Sequence, residues 1–141
     1  IQIESILSQV HLDILQYHGD ETPSECMQIN LPYYRAIRVK ADTNLVQYAQ
    51  NYHTAKALLL DAYSDAAFGG TGQTFDWNLI PAHLPKPIIL AGGLSVDNVG
   101  LAIQQVQPYA VDISGGVEAS KGIKDAVKIA AFMQGVNNAR L

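Results

Sequence analysis

The segment "KPIILAGGLSVDNVGLAIQQVQPYAVDISGG", residues 86–116, decides the fold. It opens with an apolar run that stops at Gly92-Gly93. It continues with apolar residues at Val99, Ala102, Ile103 and Val106, and closes on a second apolar run that stops at Ser114-Gly115-Gly116. Helical spacing between two near-continuous apolar runs reads as strand, helix, strand, with Ser95 and Asp97 opening the helix. A strand without polar alternation is covered on both faces, and two strands joined through a helix run parallel.

The same unit recurs along the chain. Apolar runs begin at Leu12 (LDILQY), Tyr34 (YRAIRV), Lys56 (KALLLDAY), Lys86 and Tyr109, separated by 22, 22, 30 and 23 residues. Each interval fits a strand, a helix and two loops, the mark of a βα array. Thr22-Pro23-Ser24-Glu25 combines an N-cap threonine, a proline at the first helical position and a capping-box glutamate. Ile3, Ile6, Leu7 and Val10 form one apolar helical stripe; Ile129, Phe132, Met133 and Val136 form another. A doubly wound sheet would gather its polar groups at one switch point, whereas a (βα)8 barrel can place them at the C-terminal end of every strand. Gln16 with His18-Gly19, Asp61, Gly92-Gly93, and Asp112 with Ser114-Gly115-Gly116 end four of the five runs, which favours an α/β fold of the TIM-barrel kind. A barrel needs eight strands and usually about 200–250 residues. Residues 1–141 are therefore expected to be the last five of eight βα units, in one domain, with the preceding helix. The missing units would come from a longer chain, a second chain or dimerisation.

Composition limits the partners. The 141 residues are 48% hydrophobic and 16% charged, an ordinary globular balance that excludes disorder. A net charge of −4, with nine Lys and Arg and no basic run, speaks against nucleic acid or an anionic membrane surface and leaves small molecules. One cysteine, Cys26, excludes an internal disulfide and fits a reducing cytoplasm. No apolar run approaches the ~18 residues of a membrane span.

The motifs "LQYHGDE" (15–21), "LLLDA" (58–62), "GGTGQTFDW" (69–77), "ILAGGLSVDNV" (89–99) and "VDISGGVEASKGIKDAVKIAAFM" (111–133) resemble the phosphoribosylanthranilate isomerases of tryptophan biosynthesis, in family order and spacing. Tyr17 stands where the family usually has leucine, and "ISGG" replaces the more usual "VSSG". The resemblance implies an Amadori rearrangement without a cofactor. An acid protonates the ribose ring oxygen of N-(5-phosphoribosyl)anthranilate, a base removes the C2 proton, and the resulting enolamine tautomerises to a ketone.

Asp61 matches the family's general acid. Read without the family, a carboxyl group after three leucines sits at a strand end among apolar neighbours, where desolvation lets an acid keep its proton; a loop cap or a lysine partner is the plainer alternative. Gly69, Gly70, Thr71 and Gly72 would form a lid anchored by Phe75 and Trp77, and the loop from Ser64 to Thr74 is expected to be poorly ordered without ligand. Asp76 reads as a helix cap. Gly92, Gly93, Ser114, Gly115 and Gly116 end two successive strands and can turn backbone N–H groups toward one phosphate. No lysine is called for. Asp112 faces the same way as Ala110 and matches a family residue at the barrel mouth. Gln16 and His18 are expected to line the site, and a lone histidine makes no metal centre. His11, His53 and His83 read as surface, and one of Arg35 and Arg38 is expected at the mouth. The family's base is a cysteine ending the first strand, and an arginine after the second holds the anthranilate carboxylate; both belong to the missing units. Cys26, inside a helix, is no substitute, so these residues alone are expected to be inactive. A phosphosugar-binding barrel without catalysis, or a structural relic without ligand, would have no use for Asp61.

Overall fold

All five runs become strands of one parallel sheet in this computed structural model, in chain order. The structure describes residues 2–62 and 74–139. The strands are β1 (Leu15–Tyr17), β2 (Tyr33–Val39), β3 (Ala57–Ala62), β4 (Ile88–Leu90) and β5 (Ala110–Val111). Helices α1 (Gln2–Leu7), α2 (Pro23–Cys26), α3 (Leu45–Asn51), α4 (Val99–Val106) and α5 (Ala126–Ala139) alternate with them. An antiparallel hairpin, β6 (Glu118–Ser120) with β7 (Ile123–Lys124), intervenes before α5. Among the described residues, β1 and β5 are the sheet's edges, so the five strands form an open parallel sheet and not a closed ring.

The register assigns each side chain to a face. Tyr34 pairs with Ala57, Ala36 with Leu59 and Arg38 with Asp61; Leu59 pairs with Ile89, and Ile89 with Ala110. Alternation then puts Tyr34, Ala36, Arg38, Ala57, Leu59, Asp61, Ile89 and Ala110 on one face. Small residues and two large aliphatics there close into a core of Ala36, Ala57, Leu59, Ile89 and Ala91. The opposite face carries Ile37, Val39, Leu58 and Leu60, which pack with Leu45 and Ala49 of α3, and Leu90, which packs with Val99 and Ala102 of α4 and Phe132 and Val136 of α5. Leu58, Leu60, Leu90, Val39 and Val99 are almost wholly buried, and each such side chain contributes about 1.5–3 kcal/mol of transfer free energy. Two apolar layers hold the strand ends, and whatever those ends carry, in fixed positions.

Helix ends follow the expected chemistry where their caps are local. Thr22 and Glu25 form the reciprocal capping box, with Thr22 Oγ1 accepting from the Glu25 N–H at 3.3 Å and Glu25 Oε2 accepting from the Thr22 N–H at 2.7 Å. Asp76 caps the 3-10 turn Trp77–Leu79, its Oδ1 accepting from the Asn78 N–H at 3.0 Å, and Phe75 and Trp77 pack onto the core. Three expectations need correction. Asp97 does not cap α4: its own N–H donates to Ser95 Oγ, and Asn98 occupies the cap position. Ile6, within α1, and Val10, beyond its end at Leu7, are 53% and 49% exposed, and only Ile3 and Leu7 of the stripe meet the core. On α5 only Phe132 and Val136, one turn apart, are buried, while Ile129 and Met133 stay exposed.

Candidate active site

β3 delivers Asp61 to its C-terminal end on the face shared by Leu59 and Ala57. The carboxylate has two polar neighbours. Its Oδ1 accepts the N–H of Ala62 at 2.8 Å, and its Oδ2 stands 3.6 Å from Nε2 of His18, one residue beyond β1. The Asp61 side chain is only 13% exposed and that of His18 34%. His18 Nε2 is itself buried and has no hydrogen-bond partner among the described residues. Catalytic contacts are often long without ligand, so this separation suits two polar groups aimed into the same space.

Gly92 explains how β4 passes so close. It lies in the left-handed region, φ +79°, and a Cβ there would stand 2.2 Å from the Ala62 nitrogen and 2.8 Å from Asp61 Oδ1. Only glycine fits both the backbone conformation and the space beneath the carboxylate. Gly93 follows at φ +65°. The next loop closes on this one: a Cβ on Gly116 would stand 2.0 Å from the Leu94 carbonyl oxygen, so the turn after β5 touches the turn after β4. Gly115 and Gly116 open the 3-10 turn Gly115–Val117, whose first N–H groups have no acceptor within the turn. Side chains fix both loops from behind. Asn98 Nδ2 donates to the Gly93 carbonyl at 2.9 Å and its Oδ1 accepts from the Ser95 N–H at 2.9 Å; Lys124 Nζ donates to the Ser114 carbonyl at 2.9 Å.

Asp112 follows β5, its N–H donating to the Leu90 carbonyl. Partial burial, and next the Asp61 carboxylate, push its acid above the usual aspartate range, with His18 and Lys124 pulling the other way. The side chain remains open to solvent at the sheet edge, which limits the size of that push. Asp112 thus feels Asp61 at the end of β3, His18 beyond β1 and Lys124 on β7.

Other candidates fall elsewhere. Gln16 is exposed on β1, beside Tyr34 in the register. Gly69, Gly70, Thr71 and Gly72, and with them the expected lid, lie outside the described residues. Arg38 is the arginine on the face of Asp61. Arg35, on the other face, is buried: its guanidinium donates to Glu21 Oε2 and the Gly19 carbonyl, each at 2.8 Å, and lies 4.9 Å from the Tyr52 ring centre. Cys26 is fully buried, and burial pushes its thiol up, away from the thiolate. His11, His53 and His83 are exposed. Among the described residues no three His, Cys, Asp or Glu side chains gather at metal-binding distance. A groove of about 540 Å³ opens at the other end of the sheet, between Trp77, Lys86, Gln105 and Tyr109; it is remote from Asp61. Sequence reasoning missed Asn98 and Lys124. The only local sign of Lys124 was a glycine, Gly122, placed to turn the chain back between Glu118 and Lys124.

A parallel βα sheet with its carboxylates and glycine turns gathered at the strand C-termini defines an α/β protein of the TIM-barrel kind. Residues 2–135 match the family model of N-(5'-phosphoribosyl)anthranilate (PRA) isomerase. The chain is 56% identical over 138 residues to the N-(5'-phosphoribosyl)anthranilate isomerase of Pseudomonas putida, covering 98% of this chain and 67% of that protein. It superposes on the crystal structure of the phosphoribosyl anthranilate isomerase of Thermotoga maritima with a TM-score of 0.82 at 35% identity, over 97% of this chain and 67% of that one. A further isomerase structure, in complex with reduced 1-(o-carboxyphenylamino)-1-deoxyribulose 5-phosphate, matches at 0.78 and 33% identity, over 97% and 66%. The chain belongs to the phosphoribosylanthranilate isomerase family, a family of enzymes, and spans about two thirds of the length of these relatives. No helix among the described residues is long and apolar enough to cross a membrane.

Proposed function

We propose that these residues supply the acid and the phosphate grip of an isomerase that rearranges N-(5-phosphoribosyl)anthranilate to its carboxyphenylamino-deoxyribulose phosphate, in tryptophan biosynthesis. The observation that carries this reading is the placement of Asp61, nearly buried at the end of β3, wedged over Gly92 and facing His18. From there Asp61 donates a proton to the ribose ring oxygen and opens the ring. His18 lines the site beside it. The turns Gly92-Gly93 and Ser114-Gly115-Gly116 hold the phosphate through backbone N–H groups, and Asp112 accepts hydrogen bonds from sugar hydroxyls. Gln16 lines the outer rim. The chemistry runs on proton transfer and no cofactor enters this scheme.

The base that takes the C2 proton is assigned to residues outside these 141, in the three βα units that would complete an eight-stranded barrel. These 141 residues by themselves are then inactive. A cytoplasmic location goes with this reading. The test follows anthranilate fluorescence with the full-length protein and its Asp61→Asn variant. Loss of the general acid is expected to lower kcat by about 10²–10⁴-fold with KM little changed. Normal turnover by the variant rejects the assignment, and a wild-type protein that binds the phosphosugar without turnover favours a binding role.

A further inference from the structure

Behind the turn after β5 stands a group that the proposed chemistry does not use. Lys124, on β7, directs its ammonium at the Ser114 carbonyl oxygen, 2.9 Å away, with Ser114 Oγ at 3.5 Å and Glu118 Oε1 at 2.9 Å. Glu118 is gripped in turn. Its Oε2 accepts the N–H of Gly122 at 3.1 Å, where the hairpin turns at φ +82°, and its carbonyl accepts from Lys128 Nζ at 2.6 Å. The geometry points to Lys124 as a positioning residue for phosphate: with Glu118 it fixes the Ser114–Gly115 peptide so that the Gly115 N–H faces the anion.

The reason is the planarity of the peptide bond. In a trans peptide the C=O and the following N–H point in opposite directions, so an ammonium that holds the Ser114 carbonyl also aims the Gly115 N–H away from itself. Close packing of Gly116 on the Leu94 carbonyl prevents the turn from rotating as a whole. The neighbouring loop repeats the device, because Asn98 Nδ2 holds the Gly93 carbonyl and thereby sets the Leu94 N–H. Lys124 acts here through the peptide plane, since Glu118 already offsets its charge. The bond from Lys124 and the Gly122 N–H keep the Glu118 acid below the usual glutamate range, so the clasp holds at neutral pH.

This inference rests on the phosphate assignment above, and its test separates the two. In the full-length protein, inorganic phosphate is titrated calorimetrically and KM and kcat are measured for wild type, Lys124→Met, Lys124→Arg and Glu118→Ala. Lys124→Met is expected to weaken phosphate binding and raise KM about tenfold, the scale of one lost charge-assisted bond, with kcat changed less than about threefold. Lys124→Arg, which retains a donor, recovers most of the affinity. Glu118→Ala is the decisive arm: a clasp predicts weaker phosphate binding, while a lysine acting as a bare charge predicts tighter binding once its carboxylate partner is gone. Tighter binding in Glu118→Ala, unchanged phosphate affinity and KM in Lys124→Met, or a wild type that binds no phosphate overturns the inference. If wild type and variants titrate phosphate as stated but none turns over the phosphoribosyl substrate, the clasp stands and the isomerase reading fails. Should Lys124→Met not fold, Lys124→Arg and Glu118→Ala carry the comparison.

Discussion

The two ends of the five strands use polar groups in opposite ways. At the N-terminal end most of them satisfy one another, Trp77 Nε1 being buried without a partner among the described residues. Lys86 Nζ donates to the Ala55 carbonyl at 2.6 Å and the His53 carbonyl at 2.5 Å, and the Tyr33 hydroxyl meets Thr54 Oγ1 at 2.6 Å. At the C-terminal end His18 Nε2 is buried without a partner among the described residues, the Asp61 carboxylate pushes the Asp112 acid up, and two successive glycines take left-handed backbone. Saturated polar groups add stability and have nothing left for a ligand. Groups left partly unsatisfied cost stability and are ready for one, the pattern expected at a functional site.

The sharpest break in that comparison comes from neighbouring glycines. Gly92→Ala forces a β-carbon into the left-handed region and against the Ala62 nitrogen at 2.2 Å and Asp61 Oδ1 at 2.8 Å. It is expected to cost about 2–3 kcal/mol of stability and to move Asp61, with a fall in kcat/KM beyond what unfolding explains. Gly115, whose added Cβ meets nothing within 4 Å at an unstrained φ, is the internal control: Gly115→Ala should stay within about 0.5 kcal/mol of wild type. Urea midpoints of the full-length variants measure both. Equal midpoints would show that the crowding beneath Asp61 is not real.

The opposite end gives a medium effect of the opposite kind. Lys86→Met removes two bonds to carbonyls at the head of β3 and is expected to cost about 1–2 kcal/mol, one of the two acceptors being left part-buried. Its kcat and KM should match wild type. A change in KM at constant stability would mean that this end of the sheet also serves the site.

Those expectations differ in how they could be seen from sequence. Asp61 and Gly92 were legible because the barrel pattern puts function at strand ends, and both end apolar runs. The strands themselves were legible by spacing, although β1 begins at Leu15, three residues into its run, and β5 spans only Ala110–Val111. Such runs report burial, not pairing, so their limits blur. Lys124 and Asn98 were illegible for a different reason. Each acts on a backbone carbonyl of a preceding loop, and neither a period nor a motif records which carbonyl lies near once the chain has folded. Arg35 shows the same limit, since period 2 put it opposite Arg38 but could not show that Glu21 and the Gly19 carbonyl would pair with it.

The smallest effect belongs to Asp112, where the sign is the informative part. Partial burial and the Asp61 carboxylate raise its acid in the folded protein, so the folded state keeps that proton to higher pH than the unfolded chain does. As pH climbs from the ordinary aspartate range into the raised one, the unfolded chain releases the proton first, and stability declines across that window. Glu118 works the other way. Its acid is lowered by Lys124, so its contribution is present above the ordinary glutamate range and fades as pH falls through the lowered one. The wild-type slope alone therefore mixes two opposing groups, whereas the difference between wild type and Asp112→Asn isolates one. Thermal midpoints of the two proteins, taken from pH 3 to 7, should diverge as pH rises, with Asp112→Asn gaining on wild type by a few degrees at most because Asp112 keeps its access to solvent. Parallel curves would remove Asp112 from the set of carboxylates that sense Asp61.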